Sequence, residues 1–187
     1  MTRKCKVCRT PFTPTCPLQN WCSVDCAVKL GEQALAKKKA KAQAEDRKAT
    51  REKLDAMRTK PQLVKLAQQA FNAFIKARDA GKPCICCGRP LVDGIGGGHD
   101  AGHYRSVGSA PHMRFVEENC HAQTKYCNQH LAGNHVEYRK GLIERIGLAA
   151  VERIENDDCV RKYTKEALIE IARHYNAEAR RLKKERT

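Results

Sequence analysis

A histidine set between two cysteine clusters, with an asparagine directly after the last cysteine, is the pattern in this chain best suited to chemistry. The stretch runs Cys84-Ile85-Cys86-Cys87, Gly102-His103-Tyr104, Asn119-Cys120 and Cys127-Asn128. Thiolates at Cys84, Cys87 and Cys127 suit zinc, which takes four N or S ligands tetrahedrally and closes a loop-rich unit. The fourth ligand is open. Thr124 stands where a regular second Cys-x-x-Cys pair would begin, and Thr binds zinc poorly, which leaves Cys120, His121 or Cys86, or an unmetallated finger held by packing. A neutral imidazole at His103 can take a proton from water attacking a phosphodiester. The side-chain oxygen of Asn128 suits Mg2+ or Mn2+, hard cations that prefer oxygen ligands and polarise phosphates. Asp100 and His99 are further candidate ligands, and Asn119 joins the site by bracing its loop. His112, His121, His130 and His135 rank lower, as surface or packing residues.

A second cluster lies at the N-terminus. Cys5 and Cys8 form one pair, Cys22 and Cys26 another, and Cys16 is a spare. Four thiolates in two closely spaced pairs match a closed structural zinc site; the plain alternative is a set of free thiols. The start Met1-Thr2-Arg3-Lys4-Cys5 lacks the apolar run of a signal peptide, and no segment is long and apolar enough to span a bilayer. The expected location is therefore cytoplasmic, where eleven cysteines favour metal over disulfides.

The net charge of +15 points to a polyanionic partner, with nucleic acid ahead of an anionic membrane surface. The basic residues that would hold DNA are Lys37, Lys38, Lys39 and Lys41, Arg105, and Arg180, Arg181, Lys183 and Lys184. No helix-turn-helix is recognisable, so the contacts expected are with phosphates rather than base edges. The Gly94–Gly98 run reads as a flexible loop and is not a P-loop, because no Gly-Lys-Ser/Thr follows it.

The elements that must position these residues follow from composition. Aromatics make up only 5% of the chain, too few for one thick core, so small metal-stabilised units are expected in an α+β fold. Residues 1–30 read as a zinc knuckle, with Ser23 capping a helix from about Val24. Residues 31–62 read as a basic, solvated helical linker interrupted at Pro61. Leu63, Leu66, Ala67, Ala70, Phe71, Phe74 and Ile75 recur at helical spacing, and Gly81 ends that helix. Strands are expected around His103–Val107 and Met113–Val116. A helix should follow from Asn134 to Ile146, with Val136, Leu142, Ile143 and Ile146 inward, and a short one from Leu148 to Ile154. Residues 63–155 would form the nuclease core and 156–187 a basic C-terminal helix opened by Thr164, with Leu168, Ile171, Ala172 and Tyr175 on its apolar face.

Several of these segments resemble the NinG family of lambdoid phages, also called Rap. They are Ala101–Ser106, Arg114–Asn119, Cys127–Asn134, Tyr138-Arg139 and Ile146-Gly147, in a likeness that spans most of the chain. The resemblance implies a structure-specific, divalent-metal-dependent endonuclease acting on Holliday junctions and D-loops. Cutting two strands symmetrically would suit a homodimer, and host or phage recombination proteins are further expected partners. The central stretch also resembles, more loosely, the HNH or His-Me finger nucleases. That likeness implies a ββα-metal finger with His103 as base and Asn128 as metal ligand. Gly102 stands where that pattern has a metal-binding carboxylate, and Thr124 where its second cysteine pair begins. The rival expectation is a non-catalytic zinc-dependent DNA-binding or recombination-mediator protein.

Overall fold

Prolines at 11, 14 and 17 keep the N-terminal segment out of helix, so hydrogen-bonded turns shape it instead. In the computed structural model, which describes residues 2–92 and 98–186, two short strands pair antiparallel: β1 (Arg3–Lys4) and β2 (Pro11–Phe12), with Arg3 opposite Phe12. The chain then enters α1 (Val24–Met57), where the Ser23 hydroxyl accepts from the Cys26 amide at 3.3 Å, as its capping role requires. The expected linker is continuous with this helix. Its 34 residues would span about 51 Å. Ala, Lys, Glu and Gln favour helix strongly but supply no apolar stripe, so Cys26 is its one buried residue.

The chain divides into two units, Met1–Met57 and Arg58–Thr187. The larger begins with α2 (Lys60–Arg78), where Pro61 sits in the first turn, a position that needs no amide proton. Pro61 thus starts a helix. The Gln62 side chain caps it by accepting from the Thr59 amide at 2.8 Å. Leu63, Ala67, Ala70, Phe71, Phe74 and Ile75 are buried along one face, against Leu168, Tyr175 and Ala179 of α5 (Lys165–Lys184). Thr164 caps α5, accepting from the Ala167 amide at 3.1 Å.

Between these helices in sequence runs a hairpin of β3 (His99–His103) and β4 (Cys120–Thr124), paired so that Asp100 faces Gln123, Gly102 faces His121 and His103 faces Cys120. This corrects the expected strands. The first lies four residues earlier, and Met113–Val116 is not a strand: Pro111–Met113 and Glu117–Asn119 are single 3-10 turns. Pro111 withholds an amide, and Met113 turns inward to a second core cluster. A π-helical turn, Tyr126–His130, follows β4 and leads to α3 (His135–Ile146) and α4 (Leu148–Glu155). Tyr138 and Leu142, one turn apart, form the buried face of α3, while Val136 is exposed rather than inward. The second cluster joins them to Ile85, Met113, Val151, Ile154 and the cysteines 84, 86 and 127. The glycine loop lies largely outside the described residues.

The hairpin is held between the two clusters. Ala101 and Cys120 pack toward α2, and the His103 ring lies 5.9 Å from that of Phe71. On the other side, Tyr138 Oη donates to the Gly102 carbonyl at 2.8 Å. Asp79, fully buried at the end of α2, accepts from Arg78 at 2.9 and 3.0 Å, from Lys82 at 3.2 Å and from the Ala122 amide at 3.0 Å. One carboxylate therefore ties α2 to β4. Burial alone would raise its pKa, but the Arg78 guanidinium and the Ala122 amide hold it well below the usual carboxylate range.

Candidate metal centres and the residues around them

Both cysteine clusters grow from the same turn. In the first, the Cys5 amide donates to the Thr10 carbonyl at 2.9 Å and the Arg9 amide to the Cys5 carbonyl at 3.0 Å; φ at Arg9 is 65°. In the second, the Cys84 amide donates to the Arg89 carbonyl at 2.8 Å and the Gly88 amide to the Cys84 carbonyl at 3.0 Å; φ at Gly88 is 68°. Each turn aims backbone N–H groups at its first sulfur. Hydrogen bonds led by the Cys8 amide lower the Cys5 thiol to about 6. The Cys86 thiol and the amides of Thr124, Cys87 and Cys86 lower Cys84 to about 3, against the opposing effect of burial.

Cys5, Cys8, Cys22 and Cys26 bring their sulfurs within 4.8 Å of one another, with Cys8 and Cys22 at 3.4 Å and Cys22 and Cys26 at 3.7 Å. Zinc bonds of about 2.3 Å imply sulfurs about 3.8 Å apart, so this set could hold zinc with little movement. Cys22 is pushed up to about 12 by its neighbours, Cys8 first, a crowding of thiols that a dication relieves. Cys16 lies exposed and outside the set.

The second cluster holds Cys84, Cys86 and Cys127, also within 4.8 Å of one another. The structure does not bring Cys120 here. Cys120 begins β4 and Thr124 ends it, and four strand residues amount to about 13 Å. Thr124 does sit at the cluster, its amide donating to Cys84 Sγ at 3.3 Å and its hydroxyl 3.8 Å from that sulfur. Cys86 fills the place left open at Thr124, pushed upward by Cys84 and by burial. Cys87 is exposed and outside this trio, although its side chain interacts with that of Cys127. His121 is buried elsewhere, its ring 6.3 Å from that of Tyr138. Three thiols, with Cys87 at the rim, could hold a second zinc.

Oxygen donors gather on the Gly102 side of the hairpin. Asn128, in the π-helical turn, donates through Nδ2 to Asp100 Oδ2 at 2.9 Å, and Gln129 donates to the same oxygen at 2.8 Å. This orients Asn128 Oδ1 toward β3, where it would stand 3.3 Å from a Cβ at Gly102. Asp100 and Asn128 are thus brought together. All the donors are hard oxygens, which fits Mg2+ or Mn2+ rather than zinc. His99, at the head of β3, is buried.

His103 faces the other way, as alternation along a strand requires. Its Nε2 lies 2.9 Å from the Arg114 carbonyl and its Nδ1 3.7 Å from Cys120 Sγ. A carbonyl only accepts, so Nε2 carries the proton and Nδ1 keeps the lone pair. Burial lowers the His103 pKa and keeps the ring neutral. Asn119, fully buried, braces the intervening loop. It accepts from the Arg105 amide at 2.8 Å and donates to the Arg105 and Met113 carbonyls at 3.0 and 3.3 Å.

The basic residues separate into two kinds. The Arg105 guanidinium is engaged by the carbonyls of Ile154 and Asp157, at 3.0 and 2.6 Å, and by the Asp158 carboxylate at 3.0 Å, so it clasps α4. Arg181 pairs with Glu178 and Glu185. Lys37, Lys38, Lys39 and Lys41 on α1, and Arg180, Lys183 and Lys184 on α5, are exposed, Lys41 with Glu45 3.9 Å away. Helical geometry puts Lys37, Lys41, Lys48 and Arg51 within an arc of about 80°. Two residues that tie the site together, Asp79 and Gln123, carry no spacing signal in the sequence; the packing of α2 against β4 reveals the first and cross-strand register the second.

No solved structure matches this chain. The sequence model for the bacteriophage lambda NinG protein matches residues 1–185. The protein ninG of Salmonella phage P22 is 40% identical over 99% of this chain and 96% of its own length. That of Escherichia phage lambda is 39% identical over 99% and 95%, and that of Escherichia phage 933W 38% over 99% and 96%. A match that runs through both cysteine clusters and the hairpin places the chain in the NinG family of bacteriophage proteins.

Proposed function

We propose that this protein is a divalent-metal-dependent endonuclease that cuts branched DNA, such as Holliday junctions and D-loops. The observation that carries the reading is the cluster of hard oxygen donors beside Gly102; His103, the next residue of β3, offers a neutral imidazole on the opposite face of the strand. Asn128 and Asp100 would hold Mg2+ or Mn2+, which when bound polarises the scissile phosphate. His103 would serve as the base that takes the proton from the attacking water, which requires the scissile phosphate to lie across the end of β3, since the imidazole and the oxygen donors face opposite sides. Its lowered pKa keeps it unprotonated at neutral pH, and the Arg114 carbonyl stabilises the imidazolium that forms. The Cys120 thiol beside Nδ1 is only a weak donor. The α1 lysines and the cations of α5 contact phosphates without reading bases. Paired cuts would need two copies of the chain.

The test is cleavage of a four-way junction with Mg2+, Mn2+ or EDTA, with His103→Ala beside the parent. The variant should bind the junction like the parent and cut it at least about 100-fold more slowly. Equal cutting would show the base assignment to be wrong. A parent that binds but cuts with neither metal would leave the non-catalytic DNA-binding reading in its place.

A further inference from the structure

Gln123 sits fully buried on β4, directly across the hairpin from Asp100. Its Nε2 donates to the Gly133 carbonyl at 2.7 Å and to Cys86 Sγ at 2.8 Å. Two acceptors on one end of the amide fix its orientation, since a flip would set Oε1 against a carbonyl oxygen and a sulfur. The other end, Oε1, is buried without a hydrogen-bond donor. Buried acceptors are seldom left so, and one aimed into a cluster of oxygens calls for a cation rather than a proton.

The position of that oxygen is informative. A Cβ at Gly102 would overlap Gln123 Oε1 and stand 3.3 Å from Asn128 Oδ1. Gly102 has no positive φ, so its backbone would accept any residue; what the missing side chain provides is space. Two amide oxygens from different elements therefore converge where a β3 side chain would have been. Asn128 is only half-buried and forms the open side.

We infer that Gln123 Oε1 is a ligand of the divalent cation, occupying the ligand place that Gly102 leaves vacant. Because the same amide donates to Cys86, it also links the thiolate cluster to the cation site. The inference rests on the nuclease reading above, and the test separates the two.

The experiment is Mn2+ titration of the zinc-supplemented full chain, followed by electron paramagnetic resonance, with zinc content and thermal melting as controls for folding. Gln123→Met keeps the volume and removes the oxygen; it should weaken Mn2+ binding by about tenfold or more. Asn128→Ala should do at least as much. Gly102→Asp should regain Mn2+ affinity in a Gln123→Ala background, where the carboxylate has room, and should be poorly accommodated with Gln123 present. A purely structural role for Gln123 would lower zinc content or the melting temperature in Gln123→Met and leave Mn2+ affinity unchanged. If Asn128→Ala binds Mn2+ like the parent, or the parent binds none, the cation site and this inference fail together. If Asn128→Ala loses binding while Gln123→Met keeps it, the inference alone is overturned. Should Gln123→Met not fold, the Gly102→Asp/Gln123→Ala pair decides, and no gain over Gln123→Ala overturns the inference.

Discussion

The two cysteine turns share one backbone design and differ in what surrounds them. Both begin with a cysteine whose sulfur receives backbone amides, and both need a positive φ four residues later, met by Arg9 in one and Gly88 in the other. The first turn has four sulfurs and almost nothing else. Of its ligands only Cys5 and Cys26 are buried, and the rest of α1 is solvated. The second has three converged sulfurs and an apolar setting of Tyr138, Leu142, Val151 and Ile154. A complete ligand set can replace a core, and a core can tolerate an incomplete one. The second set thus converges although Thr124 supplies no sulfur, with Cys86 as its third thiol.

The sharpest break of this comparison is to remove the first sulfur of each turn. Cys84→Ser should cost the larger unit several kcal/mol, lowering its melting transition and its zinc content together, because the cluster is continuous with the core. Cys5→Ser should lose one zinc and leave that transition where it was. Equal effects on the transition would refute the contrast.

The Asp79 anchor supports only the second turn's strand. Asp79→Ala strands the partly buried Arg78 and frees the Ala122 amide, and should cost about 3–5 kcal/mol in denaturant unfolding. The pH dependence has a definite sign. The folded carboxyl is depressed, so its contribution is complete above the unfolded pKa of about 3.9 and is lost as pH falls through the lower folded value. Asp79→Asn should flatten stability against pH in that acid window; an unchanged slope would show that the carboxylate is not responsible.

A smaller effect should come from restoring the regular pair. Thr124→Cys places a fourth sulfur beside Cys84 and should strengthen zinc retention against a chelator by about tenfold, while making Cys86→Ser harmless. In the parent, Cys86→Ser should weaken retention more than Cys87→Ser does. The reverse order would mean that Cys87 is the ligand and Cys86 only lines the site.

The smallest effects concern the positive φ. Arg9→Gly should stabilise the first turn by about 0.5–1 kcal/mol, and Gly88→Ala should destabilise the second by about 1–2 kcal/mol. Zinc retention by the full chain reads both.

Much of this was legible beforehand. Helical periodicity placed α2, α3 and α5 within a few residues, because an apolar face repeats every turn whatever lies opposite. Cys5, Cys8, Cys22 and Cys26 declared themselves by pairing in sequence. The strands were misplaced because four- or five-residue pieces containing Gly102, His99 and Gln123 have no alternating apolar pattern; the register is set by the clusters on either side. Val136 was read inward because position alone does not say which arc of a short helix meets the core.

The sequence by itself determined which chemistries are available: thiolates for zinc, hard oxygens for a divalent cation, a histidine near both, and a surplus of positive charge. These follow from residue types and near-neighbour spacing, which the covalent chain enforces. Tertiary structure decided which of those groups meet. It set Cys86 rather than Cys120 at the second cluster, turned Arg105 from a free cation into a clasp, locked the His103 tautomer against Arg114, and filled the space beside Gly102 with Gln123. The last two depend on cross-strand register and on which face of a strand points where, which a shift of one residue would reverse; the first two depend on how the chain outside the strands packs.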